Sequence, residues 1–343
     1  MNNLKKIGHS ALAGSLVAVS ASASEVTVTG DTIITWKSAE GNENGAAASN
    51  GKGTGVDTDL AVNASGELDN GFTVDFFMAL DTNSAVTNSS SFVTVGMGDL
   101  GKLRVNNNTG SGANAIDDVL PTAWEEVWDS TTHTAKGQTF GANTAAGSLT
   151  YYTPSIDLMG ASISATATYD NAAGVGGASA KGVTTGASGT AYTIAIAHES
   201  GLTIGGGVES EDDAGLGTST EKGETSGTGY IKFAAGPLSI GYQETVIDPG
   251  YTLNTDEEAD VESTGYGIAY TMDNFSVSYA EVEENKANLS DTENTVDAEM
   301  QAINASYTMG ALSASIGFFE TSNPDFVDNT SYEATVLNLS FAF

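Results

Sequence analysis

The sequence predicts an all-β fold, a closed antiparallel transmembrane β-barrel of about 16 strands. Segments with alternating apolar and polar residues recur along the whole chain. Tight turns and long polar loops alternate between them, as in barrels of the bacterial outer membrane. The composition, with 41 glycines, 12 tyrosines and 5 prolines in 343 residues, favours turns and strands over long helices.

The first 23 residues have the three-part layout of a secretory signal peptide. Two lysines precede a stretch of apolar and small residues, and Ala21-Ser22-Ala23 supplies the small side chains at which signal peptidase cuts. An amphipathic first helix is the alternative, but the glycines and serines in this stretch disfavour it. We therefore expect a signal peptide at residues 1–23 and the barrel at residues 24–343.

The chain is strongly acidic, with a net charge of −33 that becomes −35 when Lys5 and Lys6 leave with the signal peptide. This excess excludes nucleic acid as a partner because its phosphates would be repelled. Disorder is disfavoured, since 40% of the residues are hydrophobic and alternate regularly. After the signal peptide, no apolar stretch approaches the roughly 18 residues of a membrane helix, so strands must do any spanning.

The first five predicted strands each have an apolar face and a polar face. The first two comprise residues 25–37 and 56–68, and the Asp69-Asn70-Gly71 turn leads into the third. Because successive side chains in a strand point to opposite sides, apolar residues facing lipid send their neighbours toward water. The charged residues placed on this inward face are Asp57, Asp59, Asp75, Lys102 and Arg104.

A long segment at residues 106–147 interrupts the alternation after the fifth strand. Segments of this length inside a regular β array are usually functional. We expect this one to fold into the bore as the third loop. Its acidic residues are Asp117, Asp118, Glu125, Glu126 and Asp129.

Two tryptophans in this segment are compatible with one turn of a short helix whose face packs on the wall. Trp124 and Trp128 are four residues apart, which places them on one helical face, and Pro121 suits the first turn. They either anchor the segment to the wall or line the path of a solute, and the two roles are compatible.

The alternation continues to the end of the chain, where residues 331–343 form the last predicted strand. Leu337, Leu339, Phe341 and Phe343 occupy alternate positions on one face. An apolar strand that ends on an aromatic residue resembles the C-terminal signal of outer-membrane proteins. A buried last strand of a soluble protein is the alternative.

The chain resembles the general porins of Gram-negative bacteria, of the trimeric type with about sixteen strands. The more specific pieces are EVTVTGD at the first strand, GDLGKLRVNN before the long segment, LTYYTPSIDLMGASISATATY after it, and the terminal LSFAF. Together they are similar to the family's first strand, the strands around its third loop and its last strand.

The resemblance implies a homotrimer of water-filled barrels surrounded by outer-membrane lipid and lipopolysaccharide. It also implies that residues 106–147 narrow each barrel and that loop acids face basic residues across the constriction. Arg104 and Lys37 match positions where the family places wall bases. Asp57 and Asp59 occupy a strand where better-known members carry arginine, and the Pro-Glu-Phe-Gly loop motif is absent. We therefore expect acid on more than one side of the constriction.

The sequence does not predict an enzyme. Only three histidines are present, and no Gly-x-Ser-x-Gly elbow accompanies His133, while His198 is best explained as a rim residue. Glu125 and Glu126 are adjacent, which favours charge on a solvated loop over an acid/base pair. No cofactor, thiolate site or EF-hand spacing is present, although Ca²⁺ or Mg²⁺ bridging acidic loops to lipopolysaccharide is compatible with the loops.

These observations predict a pore for passive diffusion of small hydrophilic solutes and ions, with cation preference. The sparse positive side of the pore would consist of Lys37, Lys102, Arg104 and Lys232. The alternatives are a substrate-specific channel with a saturable site and a soluble secreted β-rich adhesin.

Overall fold

One closed antiparallel sheet forms the wall of the protein in the computed structural model, which describes residues 25–41, 50–81, 86–107, 112–141, 147–173, 187–211, 223–248, 260–286 and 296–343. The first strand closes the sheet, because it pairs with the last strand from Asp31 to Gly41 and with the second strand on its other side. The predicted signal peptide at residues 1–23 and most of the predicted long loops lie outside the described ranges.

The described residues form 17 strands in chain order. They are β1 Glu25–Gly41, β2 Gly51–Glu67, β3 Thr73–Asp81, β4 Thr87–Gly96, β5 Lys102–Asn107, β6 Leu149–Tyr152, β7 Ile156–Leu158, β8 Ala161–Ala173, β9 Ala187–His198, β10 Leu202–Glu211, β11 Thr225–Ala235, β12 Leu238–Asp248, β13 Val261–Met272, β14 Phe275–Lys286, β15 Ala298–Met309, β16 Leu312–Ser322 and β17 Ser331–Ala342.

Strands β6 and β7 are two halves of one wall strand, because both pair with β8. Pro154, which lacks a backbone N–H, lies in the break between them. Counting the halves together leaves 16 wall strands, which confirms the predicted all-β barrel. Among the described residues, no helix has the length and apolar character needed to cross a membrane.

The first two strands are longer than predicted. A loop was expected from residue 38 to Gly55, but β1 continues to Gly41 and β2 begins at Gly51. Lys37 and Gly53 are partners in this extension, so backbone pairing overrides the weak strand propensity of glycine.

Side chains alternate between two different environments on the wall. On β12, Ile240 is 44% exposed, whereas Gln243 is only 6% exposed. The exposed set is rich in isoleucine, tyrosine, phenylalanine and leucine, while the covered set is rich in serine, threonine and alanine. The outer surface is therefore an apolar band, and the polar face lines the bore.

The short connections are tight turns at the predicted places, and one of them depends on glycine. Gly201 has a φ of 90°, and a Cβ there would lie 1.9 Å from the carbonyl oxygen of Ala234. Ala234 N also donates to Gly201 O at 3.0 Å. Gly201 therefore provides both the left-handed backbone and the close approach of β11.

We expect Gly201→Ala to destabilise the barrel more than Gly236→Ala. Both positions require left-handed backbone, which costs an alanine about 1–2 kcal/mol, but Gly236 has open space where a Cβ would lie. The measurement is the thermal midpoint of β circular dichroism in detergent micelles. Equal midpoints for the two variants would contradict the close approach.

Candidate functional site

Residues 112–141 form a segment that follows the polar face of the wall from β8 to β16. Because backbone groups of the segment bond to side chains of successive strands, the segment lies against the inner wall. The hydrogen bonds marking this path are Gly112 N to Thr168 Oγ1 at 3.1 Å, Val119 N to Gln243 Oε1 at 3.0 Å, Ala123 N to Ser278 Oγ at 2.8 Å, Ser306 Oγ to Ala123 O at 2.8 Å and Asn304 Nδ2 to Glu125 O at 2.7 Å.

Apolar side chains hold the same segment against β14 to β17. Trp128 is 8% exposed and lies in a cluster with Met300 and Phe319 of the wall, and Trp124 packs against this cluster. Burial in the cluster gives Trp128 an anchoring role. A second cluster joins the start and end of the segment, where Phe140 meets Ala113.

The predicted helix around Trp124 and Trp128 is wrong. The segment contains only two single 3₁₀ turns, Ala113–Ile116 and Gly137–Thr139. Side chains take the backbone donors that a helix would use, since Asp118 Oδ1 accepts from Leu120 N at 2.9 Å and Asp129 Oδ2 accepts from Glu126 N at 2.7 Å.

A buried histidine ties the segment to β14 and to the β16–β17 connection. His133 Nε2 lies 2.8 Å from Glu284 Oε2, and Asp325 N donates to His133 Nδ1 at 2.9 Å. Because Nδ1 accepts, the ring proton belongs on Nε2 and is donated to Glu284. The carboxylate of Glu284, which is fully buried, also accepts from Gly137 N at 2.7 Å and Lys136 N at 3.1 Å.

The polar run at residues 284–297 predicts a long loop, but β14 continues to Lys286 and so includes Glu284. Its inward position follows the same alternation as Val282, so continuing the strand by two residues would have located it.

The five predicted acids of the segment form one group with altered ionisation. Partial burial raises the pKa of Asp117 to about 6 and the pKa values of Asp118 and Glu125 to about 7. Burial, followed by repulsion from Asp129, also raises the pKa of Glu126. For Glu125 and Glu126, charge on a solvated loop instead of an acid/base pair stays a prediction.

The acids also affect one another. For Asp118, burial is the main cause of the raised pKa, and repulsion from Glu126 adds to it. Partial burial raises the pKa of Asp129 as well.

A second acidic group lies on the wall at β1 to β3. Carboxylate oxygens of Asp57, Asp59 and Asp81 lie within 4.8 Å of one another. Asp59 pairs in register with Asp31 on one side and Asp81 on the other. Sequence reasoning identified Asp57 and Asp59 but missed Asp31 and Asp81, which the same two-residue alternation would have found.

The four predicted basic residues do not form a single cluster. Lys37 Nζ lies 3.5 Å from Ser130 O of the segment, and its charge lowers the pKa of Glu125. Lys102 and Arg104 instead line a cavity of about 790 Å³ that also contains Asp75. Lys232, on β11, is near the Gly236 turn, with strands β6 to β10 between it and Arg104.

Two further predictions concern His198 and the binding of divalent ions by the acidic loops. His198 is exposed and bonds to Ser200 at the strand end, as expected for a rim residue. The acidic loops proposed to bind Ca²⁺ or Mg²⁺ fall mostly outside the described residues, so divalent-ion bridging stays a prediction.

We expect Glu284→Ala to release the segment from the wall, because it removes the acceptor of His133 Nε2, Gly137 N and Lys136 N, at roughly 1–3 kcal/mol for each donor left buried. Tryptophan fluorescence measures the release of the segment, since Trp124 and Trp128 are two of the three tryptophans in the chain. Acrylamide quenching should increase. Glu283→Ala, at an exposed neighbouring position of β14, is the control. Equal quenching in both variants would contradict the anchoring role.

Comparison with known proteins identifies the family. The model of the Gram-negative porin family matches residues 9–342. No curated protein sequence matches the chain.

Solved structures share its fold at low sequence identity. The anion-selective porin of Comamonas acidovorans is 13% identical with a TM-score of 0.63, over 93% of this chain and 100% of that one. Salmonella typhi OmpF, in complex with daunomycin, is 13% identical with a TM-score of 0.65, over 93% and 98%. The trimer form of Vibrio cholerae OmpT is 9% identical with a TM-score of 0.62, over 94% and 100%.

The family match covers nearly the whole chain, and the closed 16-stranded wall agrees with the solved structures. The protein belongs to the Gram-negative porin family and is a channel-forming β-barrel of the outer membrane.

Proposed function

We propose that the protein is a cation-preferring pore for passive diffusion of small hydrophilic solutes, narrowed by the segment at residues 106–147. The observation that carries this proposal is the presence of acids on two parts of the inner surface. One group belongs to the segment, and the other, around Asp57 and Asp59, belongs to the wall. Lys37 is a base of the wall that contacts the segment.

Coulomb's law gives the size of the effect that each carboxylate has on the energy of a passing ion. A carboxylate roughly 8 Å from a passing ion changes its energy by about 0.5 kcal/mol in water, which is roughly a twofold change in occupancy. The changes in occupancy caused by several such charges multiply, and the low-dielectric wall strengthens their field. Acids on two sides make the constriction negative overall, whereas the family's usual arrangement opposes acids and bases.

We also propose that the protein is a homotrimer surrounded by outer-membrane lipid and lipopolysaccharide. The apolar outer band suits outer-membrane lipid and lipopolysaccharide, and the trimer form of OmpT supports a homotrimer by analogy of fold. The anion selectivity of the Comamonas porin does not transfer, because the charges in this bore are its own. In the described ranges of the chain, neither the acidic groups nor His133 has a nucleophile arranged as in a hydrolase, and we propose a channel and no enzymatic activity.

Cation preference should depend on pH. Carboxyls with pKa values of about 6 to 7 are charged near pH 8 and neutral near pH 5, so the segment loses negative charge as the pH falls. Reversal potentials under a salt gradient should indicate strong cation preference at about pH 8 and weaker preference at about pH 5. A reversal potential that favours anions at pH 8 would refute the proposal. A cation preference that does not change with pH would show that the segment acids do not cause it.

The wall acids should contribute separately. We expect Asp57→Asn with Asp59→Asn to reduce the cation-to-anion permeability ratio about fourfold, at roughly twofold per charge. The matched control is Glu320→Gln with Glu333→Gln, an exposed cross-strand pair on the outer face. If both double variants reduced the permeability ratio by a similar factor, the cation preference would arise from the total charge of the protein and not from the acids in the bore.

A further inference from the structure

Arg104 is held in one orientation by two aromatic rings and a hydroxyl. Its guanidinium carbon lies 3.9 Å from the centre of the Phe92 ring and 5.0 Å from that of Tyr152. Nε donates to Thr94 Oγ1 at 3.3 Å, and Phe92 is stacked on Phe77 at 5.0 Å. A guanidinium fixed at Nε and on its face keeps its terminal N–H groups available for a planar acceptor.

Among the residues that the structure describes, Arg104 has no carboxylate partner, although the protein is strongly acidic. Within the described part of the chain, neither Arg104 nor Lys102 forms an ion pair with an acid. Both line the cavity of about 790 Å³, so their charges face the bore. An unpaired guanidinium on a cavity wall is suited to binding a carboxylate from solution.

Asp75 lies on the same wall at a short distance. Strand register pairs Asp75 with Thr94, and Thr94 with Arg104, so the three residues form one cross-strand row. Two inter-strand spacings place the Cα atoms of Asp75 and Arg104 roughly 10 Å apart. Opposite charges thus flank Thr94 without contacting each other.

We infer that this row is a binding subsite for small zwitterions, namely free α-amino acids. The carboxylate binds Arg104 and Lys102, and the ammonium group binds Asp75. The inference rests on the proposed pore, because the subsite faces its bore. It adds a solute class to that function, and it makes flux of this class saturable while inorganic ions diffuse.

Both charges of the ligand are required by the surroundings. A simple anion would meet Arg104 but would be repelled by Asp75 and by the acids elsewhere in the bore. A simple cation would meet Asp75 but would be repelled by Arg104 and Lys102. A zwitterion satisfies both ends of the row and crosses the negative constriction with no net charge.

The test is initial uptake of radiolabelled alanine into liposomes containing the purified full-length protein. We expect saturable uptake, with half-saturation at about tenfold higher concentration in Arg104→Gln and in Asp75→Asn, from loss of a charge-assisted hydrogen bond. Arg104→Lys keeps the charge but loses the planar fork, and should give an intermediate value. Lys52→Gln, which removes an exposed base from β2 beside the outer-face Glu320 and Glu333, should match the wild type.

Two competitors define the chemistry. Unlabelled alanine should compete, whereas N-acetylalanine, an anion, and alanine amide, a cation, should compete at least about tenfold less. Non-saturable uptake, unchanged half-saturation in both variants, or equal competition by N-acetylalanine would overturn the subsite.

Reversal potentials of the same preparations separate this inference from the pore proposal. Cation preference with unsaturable alanine uptake refutes the subsite alone. Saturable, Arg104-dependent uptake without cation preference supports the subsite and refutes the proposed selectivity.

Discussion

Closure of the sheet is the constraint on which the rest of this structure depends. Backbone N–H and C=O groups inside a bilayer need partners, and pairing of β1 with β17 leaves no open edge. Closure also gives the wall two faces with opposite requirements, lipid outside and water inside. The alternation of side chains, and hence the inward position of the charged residues of the wall, follows from this geometry.

The two-residue alternation determines which parts of the molecule were predictable. It located the wall strands, the tight turns and the inward positions of Asp57, Asp59, Asp75 and Arg104, because strand geometry fixes these locally. It failed where long-range contacts decide, as at β2, where pairing with β1 extends a strand through glycines.

Long-range contacts also determine the structure of the segment at residues 112–141, which local sequence patterns did not predict. A helical spacing of tryptophans was a valid local signal, but the wall offers hydroxyl and amide groups that bind the segment backbone in an irregular path. The altered ionisation of its acids likewise arises from packing. Burial against the wall and the approach of Asp118 to Glu126 depend on residues distant in sequence, so composition alone predicted their charge but not their pKa values.

An acidic segment inside an acidic bore cannot be held by charge, and its contacts reflect this. Its attachments are an apolar cluster around Trp128 and hydrogen bonds to uncharged groups such as Ser278 and Asn304. Where a wall acid takes part, as Glu284 does, it accepts hydrogen bonds from backbone N–H groups and a histidine, which stabilise the carboxylate. Anchoring and selectivity therefore use different chemistry on one segment, so the charge of the constriction can change without loss of its attachment.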